Sequence, residues 1–141
     1  VPDGMDIGLI SINLEEETLE YAGANSPAYI VRNGDVIELK PDKRAIASFE
    51  PGTHTYTTHK VPLHDGDMVY CASDGYADQF GGPKGRKFMR KRFRGLLSEM
   101  AVMPVEEQED QLQSRIENWR REAEEDQVDD ILVCGVRIRL G

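Results

Sequence analysis

Met68-Val69-Tyr70-Cys71-Ala72-Ser73-Asp74-Gly75 is the stretch of this sequence that decides the fold. Five apolar residues in a row, stopped by Ser-Asp-Gly, have the form of a short strand buried on both faces. A strand covered on one face only would alternate apolar with polar. A second run of this kind, Ile131-Leu132-Val133-Cys134-Gly135-Val136-Arg137-Ile138, closes the chain, with Asp129-Asp130 just before it. If the two runs are antiparallel neighbours, the end of the first meets the start of the second. Asp74 and the Asp129-Asp130 pair then share one rim of a sheet.

The rest of the chain supplies partners for these strands. Met5 to Leu14 and Thr18 to Ala22 are apolar with partial alternation and flank Glu15-Glu16-Glu17, which predicts two strands joined by a charged turn. Ala28 to Val31 and Val36 to Leu39 flank Asn33-Gly34, a strong hairpin signal. Thr53 to Val61 reads as an edge strand, ended by a turn at His64-Asp65-Gly66-Asp67. Phe88, Phe93, Leu96, Leu97, Met100 and Met103 then recur at helical spacing. Pro104 opens a second helix, on which Val105, Leu112, Ile116 and Trp119 form the apolar stripe. Strands thus come first, helices next, and a last strand returns to the sheet. The expected class is α+β, with mainly antiparallel strands, as one domain over residues 1–141.

Charge and composition narrow the functions. The chain has 141 residues, 17 Lys+Arg against 26 Asp+Glu, and a net charge of −9. An acidic chain with pI about 4.8 is a poor partner for nucleic acid, which wants a basic surface. No apolar stretch approaches the roughly 20 residues of a membrane-spanning helix, and Val1-Pro2-Asp3-Gly4 does not open a secretory signal. The lack of an initiator Met is expected of a processed or excised chain. Cys71 and Cys134 lie in apolar runs and are expected to pack as small hydrophobes in a reducing cytoplasm. Seven of the basic residues fall within 84–94, and 106–126 is heavily acidic.

Carboxylates held at one rim repel each other, so positive charge is expected between them. Hard oxygen donors with neither His nor Cys nearby fit Mg²⁺ or Mn²⁺ better than zinc. Gly75 and Gly81-Gly82 are expected to leave backbone room for a ligand or a flap. Turn and capping roles also account for Asp-Gly after a strand and Asp-Asp before one, so the residues alone leave both readings open.

The motifs favour one of them. Ser73-Asp74-Gly75-Tyr76, Asp129-Asp130-Ile131, the opening Asp3-Gly4-Met5 and Tyr21-Ala22-Gly23-Ala24-Asn25-Ser26-Pro27 occur in an order that resembles the SpoIIE-type branch of the bacterial PPM (type 2C) serine/threonine phosphatases. The resemblance runs from Asp3 to Arg137. It implies a β-sandwich flanked by helices, with two Mn²⁺ or Mg²⁺ ions at one end. It assigns Asp74 and Asp129 as metal ligands, and Asp130 as a residue that orients a ligand or water. It also implies that water activated between the metals hydrolyses phosphoserine or phosphothreonine. The substrate implied is a regulatory phosphoprotein of the anti-sigma-factor-antagonist kind, with a sensor domain upstream. Leu132 stands where the family commonly has Thr, and Ala24 where it has His.

No segment matches the family's Gly-Asp and Asp-x-x-Gly-His-Gly motifs, which supply further metal ligands. The N-terminal strands and first helix of the fold are therefore expected to be missing, and residues 1–141 alone to bind metal weakly and turn over little. Missing strands would expose edges that a homodimer could cover. A non-catalytic binding or regulatory module is the alternative. The basic loop Phe80-Gly81-Gly82-Pro83-Lys84-Gly85-Arg86-Lys87 has two readings. Lys84 or Arg86 could attract the substrate phosphate from a flap, or the loop could be a solvated basic face, the ordinary role of a charge run. His54, His59 and His64 alternate on or beside one strand and are expected at the surface.

Overall fold

The computed structural model describes residues 4–46 and 55–141, so that Asp3, Thr53 and His54 lie outside the described residues. β1 (Ile7–Asn13) and β2 (Thr18–Ala24) form the first antiparallel hairpin around the glutamate turn, with Ile7 opposite Ala24 and Asn13 opposite Thr18. β3 (Ala28–Arg32) and β4 (Asp35–Leu39) form the second. Asn33 and Gly34 both take positive φ, 50° and 82°, the backbone that a two-residue hairpin turn requires. β5 (His59–Pro62) pairs with β2 and is an edge strand, shorter than the alternation of Thr residues implies.

β6 (Met68–Ala72) is the central strand predicted from its apolar run. It pairs antiparallel with β3 on one side, Ala28 opposite Cys71 and Val31 opposite Met68. After the short hairpin of β7 (Phe80–Gly81) and β8 (Arg86–Lys87) come α1 (Met89–Met100) and α2 (Val105–Glu122). β9 (Val133–Arg137) then pairs with the other side of β6. The result is a three-stranded sheet, β1-β2-β5, and a four-stranded sheet, β4-β3-β6-β9.

The two faces of β6 serve two cores. Val69 and Cys71 pack with Leu19, Tyr21, Ile30 and Leu39 between the sheets. Met68 and Tyr70 pack with Tyr29, Phe93, Leu97 and Met100 beneath the helices. Each such side chain contributes roughly 1.5–3 kcal/mol when fully buried. Both helices lie on the four-stranded sheet; among the described residues no helix covers the other. Gln108 of α2 is buried too: its carboxamide accepts from the Tyr70 hydroxyl at 2.6 Å and donates to Met103 O at 3.0 Å. Burial pushes the Tyr70 phenol up to about 12.

Two sequence expectations need correction. The closing strand is not buried: it is the outermost of its sheet, and Leu132 and Val136 are 68% and 45% exposed. Its apolar composition misleads because no described strand pairs with its free edge. Val105 is also exposed, since it begins α2 before the helix reaches the core, and Gln108 takes the buried place one turn on.

One buried ion pair fastens the turn that delivers β6. Asp67 is 1% exposed and accepts from Arg32 Nε at 2.9 Å, from Arg32 Nη2 at 2.8 Å and from the His64 N–H at 2.8 Å. Burial alone would raise its pKa, but the Arg32 fork and the His64 N–H outweigh it and hold the carboxyl below the usual range. This stabilisation is complete above the ordinary carboxylate pKa, about 4, and is lost as pH falls through the lower folded value. Asp67→Ala is expected to cost about 3 kcal/mol in urea unfolding at neutral pH, because it leaves Arg32 without its partner. It should also flatten the acid limb of stability against pH; an unchanged acid limb would contradict this assignment.

Candidate active site

The pairing of β6 with β9 continues past both strands through one hydroxyl. The Ser73 N–H donates to Leu132 O at 2.9 Å. Ser73 Oγ accepts from the Leu132 N–H at 2.9 Å and donates to Asp130 O at 3.1 Å. Gly75 follows because the backbone is crowded there: a Cβ at that position would lie 2.1 Å from Asp130 O. The glycine of Ser-Asp-Gly therefore makes room for the Asp130 backbone rather than for a ligand. Asp74, between these two residues, stands at the same rim as Asp129 and Asp130, as the antiparallel register predicts.

All three carboxylates line a cleft of about 430 Å³, together with Asp6, Asn25 and Ser26. Asn25 belongs to the Tyr21–Pro27 motif but carries no site role in the sequence reading, and Asp6 is evident there only as part of the first predicted strand. Ile7 opposite Ala24 puts the residue before β1 beside the residue after β2. Asn25 has φ 59° and donates from Nδ2 to Asp6 Oδ1 at 3.0 Å. The Ala-Gly-Ala-Asn-Ser-Pro stretch is thus the crossing from one sheet to the other. It is held by the Tyr21 hydroxyl, which donates to Ser26 O at 2.6 Å. The Asp129 carboxylate accepts its neighbour Asp130's N–H at 2.8 Å.

The positive charge expected between the carboxylates is not found there: among the described residues no Lys or Arg lines this cleft, and the cation that Asp74 meets, from α1, stands on its other side. Arg90 Nη2 lies 3.5 Å from Asp74 Oδ1, with both side chains 46% exposed. Met89, just before it, has φ 78°, held by its N–H donating to Ala77 O at 2.8 Å. Lys84 and Arg86 are exposed on the β7–β8 hairpin and line neither this cleft nor the one beside it. Gly81 and Gly82 do not provide space for a ligand: a Cβ on either would strike Trp119, at 2.1 Å from its carbonyl and 2.4 Å from its ring. That hairpin is pinned to α2, with Gly82 N donating to Trp119 O at 2.8 Å.

Cysteine is nearer than the sequence implied, since Cys71 and Cys134 are opposite in the β6–β9 register and line the cleft wall. Burial, with Cys134 adding to it, pushes the Cys71 thiol up to about 11, so it stays protonated at neutral pH. His59 stacks beside Tyr21 and His64 is exposed; neither lines the cleft. The aspartates supply hard oxygen donors, which suit Mg²⁺ or Mn²⁺, and the exposed Cys134 thiol stands on the same wall. Among the described residues, no group of three or more His, Cys, Asp or Glu converges as a cage. Mg²⁺ commonly keeps several waters on one or two carboxylates, and Asp74 and Asp129 fit that mode.

The family model for stage II sporulation protein E matches residues 4–139. This chain belongs to the SpoIIE family. The SiaA-PP2C domain of Pseudomonas aeruginosa superposes with a TM-score of 0.85 at 33% identity, over 94% of this chain and 51% of that one. The SpoIIE phosphatase domain of Bacillus subtilis, from a Mn-presoaked crystal, gives 0.69 at 19%, over 96% and 57%. The RsbU and RsbW domains of a Mycobacterium tuberculosis protein give 0.72 at 15%, over 96% and 37%. The last two likenesses show the fold alone. No curated protein sequence matches significantly. This SpoIIE-family chain spans about half the length of the structures it matches. Among the described residues no helix is long and apolar enough to cross a membrane.

The Ser73 hydroxyl is what joins the two acidic motifs. Ser73→Ala is expected to lower stability by about 1 kcal/mol, the usual worth of a lost hydrogen bond. Amide exchange at Leu132 should accelerate by roughly five-fold, and Ser73→Thr, which keeps the hydroxyl, should restore it. Unchanged exchange in the alanine variant would contradict the clasp.

Proposed function

We propose that these residues form part of the active site of a metal-dependent protein phosphatase that hydrolyses phosphoserine or phosphothreonine. The observation that carries this reading is the Ser73 clasp, which brings Asp74 and Asp129 into one cleft within a chain of the SpoIIE family. Asp74 and Asp129 would hold Mn²⁺ or Mg²⁺, and Asp130, its carbonyl tied to Ser73, would position the Asp129 turn. Bound metal supplies a water of lowered pKa and positive charge against the phosphoryl oxygens.

The chain's own groups prepare for this. Asp129 uses Oδ1 for the Asp130 N–H and Asp74 uses Oδ1 for Arg90, which leaves the second oxygen of each carboxylate for a ligand. The substrate in this reading is a regulatory phosphoprotein of the anti-sigma-factor-antagonist kind, in cytoplasmic bacterial signalling under a sensor domain. Homodimerisation through exposed strand edges belongs to the same proposal.

One observation favours a second reading. Because no three ligating side chains converge among the described residues, residues 1–141 by themselves fit a phosphatase-like binding module that holds metal weakly. Turnover of a phosphoserine peptide with Mn²⁺, measured on the full natural polypeptide, separates the two. Asp74→Asn and Asp129→Asn should each lower kcat by at least about 100-fold, since the metal accounts for several kcal/mol of transition-state charge stabilisation. Both variants should keep the unfolding midpoint close to wild type. Near-wild-type turnover in either removes that residue from the site, and no turnover in the wild type leaves the binding module.

A further inference from the structure

Beside the carboxylate cleft lies a second one of about 660 Å³, and the two share a wall of Asp6, Asn25 and Asp74. Its other side is basic: Lys40 and Lys43 from the segment after β4, Arg90 and Arg94 from α1. Arg90 and Arg94 are four residues apart, so they lie on one face of α1. That face is fixed by Phe93, Leu97 and Met100, which are buried against the sheet. The lysine segment is fixed as well. Asp42 N–H donates to Gly23 O at 2.9 Å, Asp42 O accepts from Asn25 N–H at 2.8 Å, and its carboxylate accepts from the Thr57 N–H at 2.8 Å.

The charges are not balanced within the cleft. Arg90 is 3.5 Å from Asp74 and Arg94 is 3.7 Å from Glu38, whereas Lys40 and Lys43 have no ion-pair partner among the described residues. This stands on a chain whose net charge is −9, so most of the surface repels an acidic partner. A concave site where four cations face three carboxylates, Asp6, Glu38 and Asp74, is the place where such a partner is attracted.

We infer that the cleft of Lys40, Lys43, Arg90 and Arg94 selects phosphopeptides whose phosphorylated residue is flanked by acidic side chains. The inference rests on the phosphatase reading for the direction of the peptide, with its phosphoryl group over Asp74 and Asp129. The adjoining residues of the peptide then cross the shared wall at Asp6 and Asn25. Their carboxylates meet Lys40 and Lys43, which have no ion-pair partner among the described residues. Arg90, next to Asp74, stands where the phosphoryl group and the flank meet. The sequence's own basic loop with Lys84 and Arg86 lines neither cleft and has no part in this.

The test is fluorescence anisotropy, which needs no turnover. Two labelled phosphoserine peptides are compared, one flanked by four glutamates and the other by four glutamines. The glutamate peptide should bind about five-fold more tightly at low ionic strength, the scale of a few exposed ion pairs. Salt at about 0.5 M should erase most of that difference by screening. Lys40→Gln combined with Lys43→Gln should bring the ratio close to one, while Lys60→Gln on β5, outside both clefts, should leave it unchanged. Equal binding of the two peptides overturns the inference, as does full discrimination by the double variant or an equal loss in Lys60→Gln. The outcomes for the underlying reading are distinct. Hydrolysis of both phosphopeptides at one rate would keep the phosphatase and remove the acidic selectivity. Discrimination without hydrolysis would keep the cleft and favour the binding module.

Discussion

The antiparallel pairing of β6 with β9, extended by the Ser73 hydroxyl, is the constraint on which the rest of this structure depends. β6 is apolar on both faces because it serves two cores, one between the sheets and one beneath the helices. That double burial fixes its register, since a shift by one residue would exchange Val69 and Cys71 with Met68 and Tyr70. With the register fixed, the end of β6 must meet the start of β9. Ser73 closes the junction from one side, and Gly75 permits it from the other. Asp74 and Asp129 come to one cleft as a consequence, although 55 positions separate them in the sequence.

Much of this was legible because it is governed by local rules. The Asn33-Gly34 turn needs positive φ at both residues, and few pairs other than Asn-Gly supply it. The continuous apolar run of β6 has the form of a strand covered twice, and Ser-Asp-Gly marked its end. What the sequence concealed depends on neighbours that patterns do not report. The closing run is as apolar as β6, yet Leu132 and Val136 face solvent because an edge strand lacks a partner. Gly81-Gly82 looked like room for a ligand, but it is the space that Trp119 fills. Arg90 and Arg94 were hidden among seven basic residues of one stretch, and only the packing of Phe93 and Leu97 shows that these two turn toward Asp74 and Glu38.

The charge pattern takes on meaning once it is placed on the fold. The acidic total keeps most of the surface repulsive to anions, while the basic residues separate into two groups. Lys84 and Arg86 sit on a hairpin tied to α2 and remain at a distance from the clefts. Arg90 and Arg94, on the helix that covers β3 and β6, border the carboxylates together with Lys40 and Lys43. Two clefts of opposite character, sharing Asp6, Asn25 and Asp74, form a surface suited to a cation on one side and an anionic chain on the other. Membership of the SpoIIE family gives this arrangement its proposed functional direction, in a chain that spans about half the length of the SiaA and SpoIIE domains it matches.

The proposed seat of the divalent cation is one rim, made by β6 and β9. Paramagnetic broadening of backbone amide resonances by substoichiometric Mn²⁺ reads this directly, because the effect is confined to amides near the bound ion. Selective loss of signal is expected at residues 73–76 and 129–132, with the acidic face of α2 and all of β5 unaffected. Broadening centred on the glutamates of α2, or spread evenly over the acidic surface, would contradict it.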